Sequence, residues 1–199
     1  MDNVLRGGRT SKNSWLAGIL ILGLIAVNLL LAKQNFAMRR QLTARAEAID
    51  PAAKSLKEGE LVTSIAGSDF DGRAYELNYG KDKRKHLLLY FSPSCSYCVQ
   101  QAPLWRDALN KVDSSRIEVL GLVSDQQDKK TVFTHAEELG YFKTRTPLPL
   151  LFVSNESLAR YKLIATPTTL LVSDGGKVEH VWVGKWDENK TNEVAMALK

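Results

Sequence analysis

The sequence predicts an α/β fold, a mixed sheet with helices on both faces, preceded by one apolar N-terminal helix. Three observations carry this. From about Gly59 onward, strand and helix signals alternate. The alternation ends in a hairpin and a closing helix. Near the N-terminus stands "WLAGILILGLIAVNLLLA", Trp15 to Ala32, 18 residues without a charge.

As a helix rising about 1.5 Å per residue, that run covers roughly 27 Å, close to the hydrocarbon thickness of a bilayer. It has no polar face at helical spacing, which argues against a buried soluble helix. A cleaved signal peptide would have a shorter apolar core and an A-x-A site, whereas Lys33 and Gln34 follow here at once. An uncleaved anchor is the expectation. Basic residues lie on both sides (Arg6, Arg9 and Lys12 before, Lys33, Arg39, Arg40 and Arg45 after), so charge does not orient it. The organisation expected is a tail over 1–14, an anchor over 15–32, a helical linker over 33–58 and one domain over 59–199.

In the linker, "KQNFAMRRQLTARAEAID" has helix-forming composition and ends at Asp50-Pro51. Leu31 and Met38, and Leu42 and Ile49, are each seven apart, so a dimerising stalk is one reading. A solvated spacer helix is the better one, because two heptads are too few for a coiled coil. In the domain, "LVTSIAG" and "AYELN" read as short strands joined by a turn at Asp71-Gly72. "HLLLYFS" is a continuous apolar run, as a strand buried on both faces requires. Residues 95–111 show Val99, Ala102, Trp105 and Leu109 at helical spacing. "IEVLGLVS" (117–124) and "LPLLFV" (148–153) are further buried strands, separated by a helix over 128–140 that Gly140 closes. "NESLARY" is a short capped helix. "TTLLVS" and "KVEHVWVG" form a hairpin around Asp174-Gly175-Gly176, and "DENKTNEVAMAL" ends the chain as an amphipathic helix capped by Asp187.

The formal net charge of +5 does not mark a nucleic-acid binder. Residues 1–14 carry +2 and residues 33–58 carry +3, while residues 59–199 balance to zero. The excess flanks the apolar run, and the domain has no global attraction for a phosphate backbone.

The chain has two cysteines, Cys95 and Cys98, at the junction of the "HLLLYF" strand and the following helix. A helix N-terminus offers unpaired N–H groups and a positive dipole end, which lower a cysteine pKa from about 8.5 toward neutrality or below. Cys98 lies one turn on and can close a disulfide with Cys95. The pair therefore reads as attacker and resolver in disulfide exchange. Two other readings remain. A metal site needs more ligands than His86, His135 and His180, which are scattered, supply. An inert structural disulfide would constrain little, because the loop is so short. Pro103 falls inside the helix, where it removes a backbone hydrogen bond. Pro167, in "IATPTTLLV", precedes a strand at a position suited to a cis peptide.

"LLLYFSPSCSYCVQQAP", "YKLIATPTTLLVSDGGKVEHVWVG" and the apolar run together resemble the membrane-anchored, thioredoxin-like TlpA/ResA/CcmG-like thiol–disulfide oxidoreductases. The resemblance covers about Gly59 to the C-terminus and implies a thioredoxin-like fold. It implies that Thr166 and Pro167 form a cis-proline pair facing the cysteines and offering backbone groups to an extended substrate. It implies Cys95 as nucleophile and Cys98 as resolver, with Ser96, Tyr97, Gln101 and Pro103 in support. No organic cofactor and no metal is implied. The partners would be a protein disulfide substrate, a membrane thiol-electron donor and the membrane itself through residues 15–32, with the domain on the extracytoplasmic side.

Related patterns fit less well. Copper chaperones of the same fold carry CxxxC and a histidine near the place of Thr166-Pro167, and here His180 lies on the next strand; a membrane-tethered metal carrier stays the alternative. Peroxiredoxins use P-x-x-x-[ST]-x-x-C, and Pro93 stands only two residues before Cys95. "SPSC" is also similar to the "SPTC" of MauD-type maturation factors. Many TlpA-like relatives have Trp and Pro before the two cysteines and Glu three residues after the second. Here those places hold Ser94, Tyr97 and Gln101. A neutral amide cannot take the proton of the resolving thiol, so slower exchange or a shifted potential is expected.

Overall fold

The computed structural model describes residues 11–47, 54–81 and 83–199. The chain divides into two compact units, residues 1–50 and 51–199.

The described residues of the first unit form a single helix, α1 (Ser11–Glu47). Its segment Gly18–Met38 is long and apolar enough to cross a membrane, and every side chain in that segment is exposed. Asn28, the one amide in the apolar run, donates from Nδ2 to the Leu24 carbonyl at 2.8 Å. The polar group is thus satisfied within its own helix, as an apolar medium demands. The helix continues without a break beyond the run, so the spacer expected there is helical to Glu47. Ile49, Asp50 and Pro51 lie outside the described residues, as does most of the tail.

Among its described residues, the second unit is built on seven strands. These are β1 (Ile65–Ser68), β2 (Ala74–Leu77), β3 (Lys85–Tyr90), β4 (Ile117–Ser124), β5 (Leu150–Val153), β6 (Thr168–Val172) and β7 (Val178–Val183). The helices are α2 (Ser96–Lys111), α3 (Lys129–Glu138), α4 (Asn155–Arg160) and α5 (Glu188–Ala197). A 3-10 turn, Tyr141–Lys143, follows α3. The strand order is β2-β1-β5-β4-β3-β6-β7. β3, β4 and β5 run parallel, and the flanking strands pair antiparallel.

Two parallel crossovers, β3-α2-β4 and β4-α3-β5, step across the sheet in the same direction. Right-handed connections then put α2 and α3 on one face. There they bury Cys98, Ala102, Trp105 and Leu109, with Val132 and Ala136, against Leu87, Leu89, Val119 and Phe152. Val194 and Leu198 from the C-terminal segment complete that layer. The other face buries Leu88, Leu120, Leu122, Leu151 and Leu170 beneath Leu158, Tyr161 and Leu163. Leu56 belongs to this second layer, so packed structure begins before Gly59. The alternation of Leu87, Leu88 and Leu89 between faces explains why β3 reads as an unbroken apolar run. Each fully buried leucine contributes about 1.5–3 kcal/mol.

The first strand segment differs from its sequence pattern. Leu61 forms only an isolated bridge to Lys177, and β1 begins at Ile65. Alternation cannot distinguish a residue that bridges one edge from residues paired with β2 and β5. Gly72, with φ of 84°, closes the β1–β2 turn, where Asp69 Oδ1 accepts from Arg73 N at 2.9 Å. The last helix is capped by Asp187 as the sequence predicts, and α3 and α4 are capped in the same way. Asp128, Ser154 and Asp187 accept from Thr131, Ser157 and Lys190 N–H groups.

Gly67 pairs with both Tyr75 and Val153, and a methyl group on it would collide with the Phe152 carbonyl oxygen. Gly67→Ala is expected to destabilise the fold by about 1–3 kcal/mol, read from chemical denaturation.

Candidate active site

The end of β3 delivers the chain to the cysteines. Phe91 N donates to the Leu122 carbonyl at 3.2 Å, extending the ladder one residue beyond Tyr90. A tight turn follows, with Cys95 N on the Ser92 carbonyl at 3.1 Å and the Ser92 and Ser94 hydroxyls 2.9 Å apart. Cys95 is the N-cap of α2, with extended backbone (φ −90°, ψ 108°). Its Sγ accepts from Cys98 N at 3.2 Å, replacing the oxygen of an ordinary cap. The cysteine falls on the cap because the "SPS" turn prevents the helix from starting earlier. Pro93 and Pro103 bracket the functional turn, and Pro103 lies exposed inside α2.

The two thiols are free and differ in exposure. Cys95 is partly exposed, whereas Cys98 is 0% exposed in the layer with Trp105 and Phe91. Burial raises the Cys95 thiol, but hydrogen bonds with the Cys98 and Thr166 side chains and the Cys98 and Tyr97 backbone outweigh it, and its pKa falls below the ordinary thiol value. Cys98 goes the other way. Burial, then its hydrogen bond toward Cys95, pushes it up to about 12.

The second wall of the site comes from 71 residues away. The Thr166–Pro167 peptide is cis, and the Cys95 thiol donates to the Thr166 carbonyl at 3.4 Å. Strand pairing puts it there: β6 runs antiparallel beside β3, with Tyr90 opposite Thr168. The loop is fixed from both ends. Thr168 Oγ1 donates to the Ala165 carbonyl at 2.8 Å, and Gly184 N to the Pro167 carbonyl at 2.8 Å. Trp105 Nε1 reaches Thr169 Oγ1 at 3.1 Å, tying the cysteine helix to the same strand.

The remaining residues singled out by sequence separate into surface and interior. Ser96 and Tyr97 are exposed in the first turn of α2, Tyr97 at 60%. Gln101 is 0% exposed, and its Oε1 accepts from Trp186 N at 2.7 Å. The amide thus ties α2 to the segment after β7, while its Nε2 has no partner. Sequence reasoning missed Tyr141. It is wholly buried and packs edge-on to Phe91 (centroids 5.6 Å apart) and beside Trp105 (6.0 Å), in the layer that holds Cys98. No motif marks it, because it reaches the site from the turn after α3. Among the described residues, no group of three or more His, Cys, Asp and Glu side chains comes together. His86 lies 3.2 Å from Glu118 and His180 3.0 Å from Glu58.

The AhpC/TSA family model matches residues 59–181. The chain belongs to that family. No curated protein matches it. Among solved structures, this AhpC/TSA chain is similar to the thioredoxin domain of a thiol-disulfide oxidoreductase from Bacteroides vulgatus. The TM-score is 0.58 at 19% identity, over 73% of this chain and 100% of that one. It is also similar to a thiol:disulfide interchange protein from Bacteroides sp. (TM-score 0.57, 18% identity, 72% and 91% covered). A third is a secreted Mycobacterium tuberculosis disulfide oxidoreductase homologous to E. coli DsbE (TM-score 0.52, 13% identity, 67% and 96% covered). At such identities the likeness establishes the fold. The AhpC/TSA chain has the thioredoxin-like architecture that its cysteine and proline stretches resemble.

The thiolate is the form that reacts with alkylating agents. Alkylation of Cys95 is therefore expected to rise with pH and level off below the ordinary thiol range. Cys98 should stay unmodified in the folded protein until strongly alkaline pH. Mass mapping of the labelled cysteines over a pH series measures both.

Proposed function

We propose that this protein is a membrane-anchored thiol–disulfide oxidoreductase that reduces protein disulfides outside the cytoplasmic membrane. The observation that carries the reading is the opposite tuning of the two thiols. Cys95, on the helix N-cap and facing Thr166, is partly exposed and biased toward thiolate, while Cys98 is buried and held protonated.

Cys95 attacks one sulfur of the substrate disulfide. A Cys95–substrate bond forms, the substrate S–S bond breaks, and the leaving sulfur departs with the electron pair. Cys98 then loses its proton and attacks Cys95 Sγ. The mixed disulfide breaks, the second substrate thiolate leaves, and a Cys95–Cys98 disulfide remains. The substrate has gained two electrons, which a membrane thiol donor returns to the protein.

Thr166 and Pro167 shape the substrate groove. Once Cys95 is a thiolate it no longer donates to the Thr166 carbonyl, which is then free to accept an N–H from an extended substrate. Tyr97 (60% exposed) and Ile164 (52%) present apolar surface two residues from Cys95 and Thr166, suited to a polypeptide. The Gly18–Met38 segment supports the anchor. The extracytoplasmic location is supported by oxidising chemistry on that side and by the absence of any cysteine beyond the pair, which avoids mispairing. Gln101, neutral and with its carbonyl engaged by Trp186, leaves the Cys98 proton to another group.

Insulin reduction is the first test. Cys95→Ser is expected to lower the rate at least about a hundredfold, and equal rates would refute the assignment. In membranes, Cys98→Ala is expected to accumulate mixed disulfides with defined proteins, separable on non-reducing gels. If no adduct formed, the pair would be a passive disulfide. A reporter enzyme active only outside the cytoplasm, fused after Lys199, should be active; a cytoplasmic reporter active at that position would overturn the orientation.

A further inference from the structure

Before Cys98 can resolve a mixed disulfide it must become an anion in an apolar layer, where burial opposes the charge. Several groups act on it: Cys95 on α2, Tyr90 at the end of β3, Thr166 and the Ser92 backbone in the two loops, and Tyr141. Gln101, one turn along α2, is neutral. None of these is a base at neutral pH. What the site can supply instead is a donor for the thiolate as it forms.

Tyr141 has the attributes of that donor. It is 0% exposed, its ring is fixed between Phe91 and Trp105, and its hydroxyl makes no hydrogen bond. A buried hydroxyl without a partner is costly, and this one lies in the same packed layer as Cys98. Burial, then the charge of Cys98, hold the phenol protonated; Arg106, beside Gly140, acts in the other direction, and Cys95 adds the smallest effect. The phenol is therefore a donor at every working pH, in the packed layer that also holds Cys98. A neutral thiol is a weak acceptor, whereas a thiolate is a strong one. The hydrogen bond is absent in the resting dithiol and would gain most as charge develops, which is the condition for it to accelerate a step.

We propose that the Tyr141 hydroxyl donates a hydrogen bond to the Cys98 sulfur as it becomes a thiolate, making Tyr141 a catalytic residue of the resolving step. This inference rests on the dithiol reading above. The Cys98 proton passes to solvent or to the departing substrate thiolate, and Tyr141 keeps its own proton throughout.

Single-turnover reaction of the full chain in detergent with dithiobis(nitrobenzoate) tests it, because that disulfide releases two coloured thiolates in sequence. The first release reports attack by Cys95, and the second reports resolution by Cys98. In Tyr141→Phe the second release is expected to slow about ten- to hundredfold and its pH profile to move to higher pH, while the first changes much less. A second release unchanged in rate and pH profile would overturn the role of Tyr141 while leaving the dithiol mechanism standing. No first release from the wild type would overturn both. Stability separates a structural role: loss of an unpaired buried hydroxyl should leave the melting temperature unchanged or raised. A large drop in melting temperature without a change in pH profile would mark Tyr141 as packing only.

Discussion

The pairing of β3 with β6 is the constraint on which the rest of the site depends. It joins a strand ending in the "SPSC" turn to one beginning just after Pro167, so the Thr166 carbonyl meets Cys95. A one-residue slip would turn Leu87, Leu89 and Leu171 to the wrong face of the sheet, so burial on both sides holds the register. The Trp105–Thr169 hydrogen bond then fixes the cysteine helix to the same strand. The geometry between a thiol and a proline loop far apart in sequence is thus carried by regular strand pairing, not by either loop alone.

From that frame follows the difference between two chemically identical side chains. Cys95 caps a helix and faces solvent on one side, so backbone dipoles and hydrogen bonds act on its anion. Cys98, one turn deeper, meets aromatic and aliphatic side chains instead, and desolvation dominates. In the proposed mechanism, depth along one helical turn is what separates attacker from resolver. In that mechanism the same depth would create a difficulty at the second step, since the resolving anion would form where carbon surrounds it. Gln101 does not relieve this, because its carbonyl is committed to Trp186.

The N-terminal helix obeys a separate physical logic. Its side chains from Gly18 to Met38 are all exposed, the reverse of the arrangement in the seven-stranded unit, and its lone amide is bonded to its own backbone. Exposed apolar surface of that extent on one helix suits a lipid surrounding. Anchored as proposed, the thiol domain would meet partners confined to or near one membrane face at a raised effective concentration.

Much of this was legible from residues alone because the signals are local. The unbroken leucines of β3, the Asp187 cap, the Asp71-Gly72 turn and the CxxC at a strand–helix junction each depend on neighbours within a few positions. Bounds drifted where a residue's partner is distant: Leu61 bridges Lys177 instead of extending β1, and Leu56 is buried beneath the far side of the sheet. By itself the sequence determined the strands and helices, the apolar segment, and the placing of two thiols at the start of a helix, since periodicity, capping and charge suffice for these. Only the tertiary structure decided that Gln101 turns inward to Trp186 and that Tyr141 enters the layer around Cys98. Those relations join residues tens of positions apart through packing, and no local pattern encodes which distant side chain fills a buried space.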